Sequence, residues 1–306
     1  MYVEKKKIHN EEYYYLKESY RDNGNVKTKT VAYLGKGPFT KNELDKIIKN
    51  KQSVEFLTKK ELRDLQKIKK EFSDKLKHLD KKLIEDMFRD FKTVYIYNTN
   101  TIEGNTLTIE QTDMVLNRGK SPSGKDLREV YDHINAKEVF EWLLKEKPEI
   151  THEVIVQIHA GILEKIDQRT GDYRTRGVRV IGAEFLPSPG KYVQTDMEIL
   201  LKWYRKWKKK LHPLVLSALF HEKFERIHPF YDGNGRTGRM LSNLILIRER
   251  FPLLIIEEKK RKHYYAALDR GHKADLDGVS EDYNEIVAFF YNELMYTWEK
   301  IFSKWG

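Results

Sequence analysis

The chain has 306 residues, with 57 lysines and arginines against 47 aspartates and glutamates, for a net charge of +10. Its length allows one large domain or two modest ones with a sizeable core, and the charge suits anionic ligands without specifying one. The absence of cysteine excludes disulfides, cysteine zinc sites and thiol nucleophiles, while no run of 18 apolar residues offers a membrane span. The N-terminal MYVEKKKIHN carries no signal-peptide apolar stretch, so a cytoplasmic location is expected.

Tyr2 to Ile8, Tyr13 to Tyr20 and the alternating run Val26 to Leu34 are rich in strand formers. Asp22-Asn23-Gly24-Asn25 separates the last two as a hairpin turn, because Asn-Gly tolerates positive φ. A small antiparallel β-meander over 1–36 is expected, ended by Gly35, Gly37 and Pro38. Leu62, Leu65, Ile68, Phe72, Leu76, Leu79, Leu83, Met87 and Phe91 then recur every three or four residues. That spacing predicts one long amphipathic helix within a helical linker or accessory region over 37–92, facing a core or a dimer partner.

Beyond residue 93 the pattern stays helical. Thr108 with Gln111 and Thr195 with Glu198 read as capping boxes, and Thr151 as a third cap. Pro213 suits the first turn of a helix over 213–227. Apolar spacing predicts further helices over about 236–249 and 282–303. Residues 171–194, with Gly171, Gly177, Gly182, Pro187, Pro189 and Gly190 around Val178-Arg179-Val180-Ile181, read as a loop or β-hairpin flap.

The chemistry concentrates in His228-Pro229-Phe230-Tyr231-Asp232-Gly233-Asn234-Gly235-Arg236-Thr237-Gly238-Arg239. Glycines at a helix start let backbone amides approach an anion, and the helix dipole favours it. Arg236 and Arg239 are three apart and share a helix face, so they could clamp phosphate oxygens. Asp232 offers hard oxygens to a divalent cation, and His228 a ring that titrates near neutrality. Together they suit phosphoryl or nucleotidyl transfer. The spacing Gly233-x-Gly235-x-x-Gly238 also matches a dinucleotide fingerprint, but that needs a preceding strand and the residues before it repeat as a helix. A P-loop lacks its Gly-Lys-Ser/Thr. His221 and His228 are too far apart for the close i,i+4 pair of a helical zinc site.

The segment resembles the signature of the Fic family, His-x-Phe-x-Asp/Glu-Gly-Asn-Gly-Arg-x-x-Arg, at every defined position. The resemblance extends over roughly 90–290. Thr99 to Gly104 resembles the family's inhibitory motif, Ser/Thr-x-x-x-Glu-Gly/Asn; Gly171 to Arg174, Val178 to Gly182 and Pro187 resemble its flap; Tyr264 and Tyr265 resemble aromatics near the adenine. The fold this implies is mainly α: an all-helical Fic core with a β-hairpin flap over 93–306, preceded by the meander.

The function it implies is protein adenylyltransferase activity, moving AMP from ATP to a Ser, Thr or Tyr hydroxyl of a protein. His228 would be the general base and Asp232 the Mg²⁺ ligand. Gly233, Asn234, Gly235, Arg236 and Arg239 would hold phosphates. Ile181 and Gly182 would belong to the flap, and Tyr264 and Tyr265 would flank the base. Glu103 would pair with Arg239 and oppose the γ-phosphate. Rival readings are deAMPylation, another nucleotide or phosphate transfer, and a basic regulatory binding module. A protein substrate is implied and a homodimer plausible. Membrane attachment is not expected. Nucleic-acid binding is not expected either, since no C-terminal winged helix follows the core.

Overall fold

The computed structural model describes residues 2–8, 11–22, 25–37, 39–41, 43–44, 55–179 and 185–306. The chain divides into two compact units, Met1–Glu55 and Phe56–Gly306.

The first unit is the expected meander. Strands β1 (Tyr2–Ile8), β2 (Glu11–Asp22) and β3 (Asn25–Lys36) pair antiparallel in that order. Lys6 lies opposite Tyr13, Tyr15 opposite Tyr33, and Asp22 opposite Asn25; the turn residues Asn23 and Gly24 lie outside the described residues. Strand alternation sends Tyr14 and Leu16 to one face, where both are buried. Tyr13, Tyr15 and Tyr33 share the other, with the Tyr33 ring stacked on Tyr13 and tilted against Tyr15. Gly37 is required where it is, because a Cβ there would fall 2.1 Å from the Tyr14 ring.

The second unit is helical. Its first two helices correct the sequence expectation of a single long one: α1 runs Lys59–His78 and α2 runs Lys81–Ile102. The break falls where Leu79 is extended and Asp80 becomes an N-cap, accepting from the Leu83 amide at 2.9 Å. Both helices share one core with the chain's end, since Phe302 packs edge-on against Phe72 and stacks on Phe91. Each such fully buried aromatic contributes about 1.5–3 kcal/mol.

Next come α3 (Ile109–Arg118), opened by the expected Thr108–Gln111 box, α4 (Leu127–Glu146), and α5 (His152–Ile162), capped by Thr151. Helix α6 (Val193–Trp207) starts earlier than expected. A 3₁₀ turn over Gly190–Tyr192 leads straight into it, so Thr195 is already inside the helix and the Thr195–Glu198 box does not form. In the flap region, residues 171–179 and 185–189 are irregular. Val180 to Glu184, including Ile181 and Gly182, lie outside the described residues.

Helices α7 (Pro213–Ile227) and α8 (Asn234–Arg248) form the centre of the unit and are buried on nearly every face. A helix covered all round must satisfy its polar side chains internally. One contact shows how closely the pair fits: Ser217 Oγ donates to the Ser242 carbonyl at 2.9 Å. Helices α9 (Arg261–Gly271) and α10 (Asn284–Lys300) pack on α7 and close the unit. Among the described residues no helix is long and apolar enough to cross a membrane. The α7–α8 hairpin thus presents one short, rigidly held loop, residues 228–233.

Candidate active site

The loop begins with His228, which ends α7 in the left-handed region at φ 52°. That conformation is uncommon for a side-chain-bearing residue and is held from outside. Arg174 does the holding. Its guanidinium is almost completely buried and donates to four carbonyls: His228 at 2.7 Å, Ile227 at 3.1 Å, Ser188 at 2.7 Å and Arg176 at 2.7 Å. Its own amide donates to the Pro229 carbonyl at 2.9 Å. Burial pushes the His228 pKa down to about 4, so the ring is neutral at physiological pH.

Phe230 anchors the loop. Its ring stacks on His159 with centroids 3.6 Å apart and planes 4° from parallel. His159 Nε2 in turn lies 3.0 Å from the Asp232 carbonyl. Asn234 closes the turn with both ends of its amide, accepting from Phe230 N and donating to Phe230 O at 2.9 Å each. The sequence places Asn234 among phosphate ligands, but its side chain is committed to the loop. What it leaves free is the start of α8, which carries no side-chain cap. Gly233 there has φ 75° and donates to Asp232 Oδ1 at 2.6 Å.

Ion pairs surround the α8 N-terminus. Arg239 donates from Nη2 to Glu103 Oε1 at 2.6 Å and to the Thr99 carbonyl at 2.9 Å, and from Nε to Thr99 Oγ1 at 2.7 Å. Burial works against its charge, yet the Glu103 carboxylate outweighs that and raises the Arg239 pKa above its ordinary value. Arg236, also buried, pairs with Asp132. Arg128 pairs with Asp232 Oδ2 at 2.8 Å from a largely exposed position. Arg128, Arg236 and Arg239 therefore each have a carboxylate, and an entering polyanion must compete for it.

Gly235 is where Glu103 comes closest. A Cβ on Gly235 would sit 2.2 Å from Glu103 Oε1 and 2.9 Å from Arg239 Nη1. Gly238 similarly makes room for the Glu225 carboxyl and the His221 ring, 2.6 and 2.9 Å from where its Cβ would be. On α9, Tyr264 is buried with its hydroxyl 2.6 Å from His221 Nε2, while Tyr265 is partly exposed beside it, centroids 5.2 Å apart.

The structure thus brings together His228, Asp232, Gly233, Asn234, Gly235, Arg236 and Arg239 on one loop and helix start. It places Glu103 against Arg239, and Tyr264 against His221 on α7. Sequence reasoning missed Arg128, Asp132 and His159, none of which stands in a pattern of its own, and it assigned Arg174 to the flap without its role in holding the loop. Among the described residues no group of three or more His, Asp or Glu side chains is arranged to hold a metal ion. Asp232, partly exposed and paired with a largely exposed arginine, can still offer one carboxylate to a cation that arrives with phosphate ligands of its own.

Comparison with known proteins agrees with this geometry. Residues 149–246 match the Fic/DOC family model, and residues 3–56 match the N-terminal domain of IS1634 family transposases. Protein adenylyltransferase fic-1 of Caenorhabditis elegans is 33% identical over 230 residues, covering 73% of this chain and 44% of that protein. Protein adenylyltransferase Fic of Drosophila ananassae is 33% identical over 190 residues, covering 60% of this chain and 37% of that protein. The chain therefore spans less than half the length of these curated relatives. A Fic-domain-containing signaling protein from Bacteroides thetaiotaomicron superposes with a TM-score of 0.68 at 26% identity, covering 78% of this chain and 93% of that one. Fic-1 from Caenorhabditis elegans gives 0.68 at 27%, covering 86% and 75%. With a helical core, a matching loop and these relatives, the chain carries a Fic/DOC family domain over residues 149–246.

Proposed function

We propose that this protein is a protein adenylyltransferase that moves AMP from ATP to a Ser, Thr or Tyr hydroxyl of a protein, held in check by Glu103. The observation that carries the reading is the α8 N-terminus. There an uncapped helix start, two buried arginines and a neutral histidine converge within one loop, and a carboxylate from α2 occupies the second arginine. The names of the relatives support the same activity.

In this mechanism His228 takes the proton of the attacking hydroxyl. The oxygen bonds to the α-phosphorus as the bond to pyrophosphate breaks. The α8 amides and Arg236 hold phosphate oxygens, countering the charge that develops. Asp232 would hold the Mg²⁺ that accompanies ATP, releasing Arg128 as it does so, and the ion would supply charge neutralisation at the phosphates. Arg239 holds the γ-phosphate once Glu103 has left it. Tyr265, partly exposed beside Tyr264, would meet the adenine. The three-stranded unit, separate from this core and resembling a transposase N-terminal domain, serves as an accessory module for target or partner binding.

The test is transfer of label from α- and γ-labelled ATP with Mg²⁺ by wild type, Glu103→Gly and Glu103→Gly/His228→Ala. The expected result is α-label on protein with Glu103→Gly, little with wild type and none with the double variant. Transfer of γ-label would instead show a phosphotransferase, and no transfer of either would refute the reading.

A further inference from the structure

Glu225 lies one helical turn before His228, near the end of α7. Its Oε2 is 4.0 Å from His228 Nδ1, and both side chains are largely buried. His228 Nδ1 and Glu225 Oε1 are both sealed from solvent and without a close side-chain partner, and the Glu225 backbone carbonyl is the other acceptor near the ring, pulling its pKa up against burial. Buried polar atoms are as a rule paired, so this arrangement points to a contact between the ring and the Glu225 carboxyl.

The chemistry says which contact. With Nδ1 buried, Nε2 is the ring nitrogen left to face the cleft. To act as a base Nε2 must carry no proton, so a neutral ring must carry its proton on Nδ1, and that N–H needs an acceptor. We propose that Glu225 is a positioning residue for His228: its carboxylate accepts the Nδ1–H, fixes the tautomer with Nε2 free, and holds the ring against the incoming hydroxyl. This inference rests on the transferase reading. The hydroxyl proton passes to Nε2 and the oxygen's electron pair forms the new bond to phosphorus. Pyrophosphate departs with the electrons of the bond that breaks. The imidazolium so formed sits beside the Glu225 carboxylate until it loses its proton to solvent.

Glu225 is surrounded by charge and titratable groups from every side. His221, Glu222 and His228 face it from α7 and its end, Arg239 from α8, Glu103 from the end of α2, and Tyr264 from α9. His228 itself is also influenced by Arg174 and Asp232. Burial pushes the Glu225 carboxyl up to about 8; Arg239 pulls it down, and Glu103 and Glu222 push it further up. Below that pH the protonated carboxyl donates to Nδ1 and leaves the ring proton on Nε2, the tautomer that cannot act as base. Activity therefore rises with pH as the carboxyl ionises.

The experiment uses the full chain carrying Glu103→Gly, with Glu225→Gln and Glu225→Asp added separately. The His228 tautomer is read by ¹⁵N NMR between pH 6 and 9, with His228→Ala assigning the signal. Transfer of α-label is followed over the same range. In the Glu103→Gly protein the Nδ1–H form should grow with rising pH, at a midpoint below about 8 because Glu103 no longer pushes the Glu225 carboxyl up. Glu225→Gln should abolish that change, flatten the rising limb and lower kcat by about 10- to 100-fold with KM for ATP within about twofold. Glu225→Asp should keep the limb. Equal kcat and an unaltered limb in Glu225→Gln, or one tautomer in all proteins at all pH values, overturns the inference. If nothing transfers label, the transferase reading fails while the NMR arm still decides Glu225. Should Glu225→Gln not fold, the pH titration of the Glu103→Gly protein and the Glu225→Asp variant decide it without that variant.

Discussion

Removing the Glu103 side chain tests the inhibited state most directly. In the structure it deletes one charge-assisted hydrogen bond, Arg239 Nη2 to Glu103 Oε1 at 2.6 Å, and leaves the two bonds from Arg239 to Thr99. Such a bond is worth about 1.5–3 kcal/mol when well buried. The Glu103 side chain is 35% exposed, so screening by solvent cuts this to about 1–1.5 kcal/mol. Without nucleotide, Glu103→Gly should therefore melt about 2–5 °C below wild type. With Mg·ATP the order should narrow or reverse, because the γ-phosphate now meets an unopposed guanidinium, and about 1.4 kcal/mol of relieved competition is a tenfold gain in affinity. Differential scanning fluorimetry with and without Mg·ATP reads both effects on one plate. Equal melting temperatures in both conditions would refute the argument that this pair is a stabilising contact which competes with the γ-phosphate.

Gly235→Ala should push Glu103 off Arg239, since the added Cβ would lie 2.2 Å from the carboxylate. Its destabilisation should shrink in a Glu103→Gly background, and a double-mutant cycle of melting temperatures measures that coupling. Arg174→Lys keeps the charge but not the fork that reaches four carbonyls. It should lower stability by about 3 kcal/mol, read from the urea midpoint, and lower transfer with it. The pH dependence of stability has a definite sign. Burial depresses His159, His212 and His228 to about 4 and His221 to about 3. Each folded value lies below the ordinary one, so the stability these neutral rings contribute is fully present above about pH 6.5. It is lost as pH falls, at about 1.4 kcal/mol per pH unit for each ring. Glu225, raised in the fold, opposes this with one proton. Chemical denaturation at pH 7 and pH 5 should show the lower stability at pH 5.

The catalytic loop was legible because its chemistry demands particular residue types at fixed spacing. His228, Asp232, Arg236 and Arg239 could be named without a fold, and Glu103 followed from the company it keeps. The break between α1 and α2 was not legible. Leu76, Leu79 and Leu83 keep helical spacing straight through it, and Asp80, which caps the second helix, looks from sequence like one more residue on a polar face. The polar residues of α7 mislead in the same way. Glu222, Lys223 and Glu225 fall off the apolar stripe and would be assigned to solvent, yet α7 is covered on that side too. Lys223 is satisfied there by the carbonyls of Asp275, Leu276 and Gly278 and by the Tyr283 hydroxyl. Arg174 is buried for the same kind of reason. Partners so distant in sequence leave no periodic trace, so buried cations and the carboxyl beside His228 emerge only once the helices are packed.

Under the proposed inhibition, Arg239 also explains how the site can still receive its nucleotide. Glu103 takes only Nη2, and Thr99 takes Nη2 and Nε. Nη1 makes none of these bonds and points toward the Gly235 end of α8. A phosphate can therefore engage Nη1 and the α8 amides while Glu103 stays where it is, but it cannot take the bidentate grip that the guanidinium offers. Glu103 should then govern the pose of ATP more than its affinity. Calorimetric titration with Mg·ATP should show wild type binding within about tenfold of Glu103→Gly, following from the one hydrogen bond at stake, whereas α-label transfer should differ by far more. A wild type that fails to bind ATP at all would show that Glu103 closes the site outright, and would place the inhibition at entry instead of at orientation.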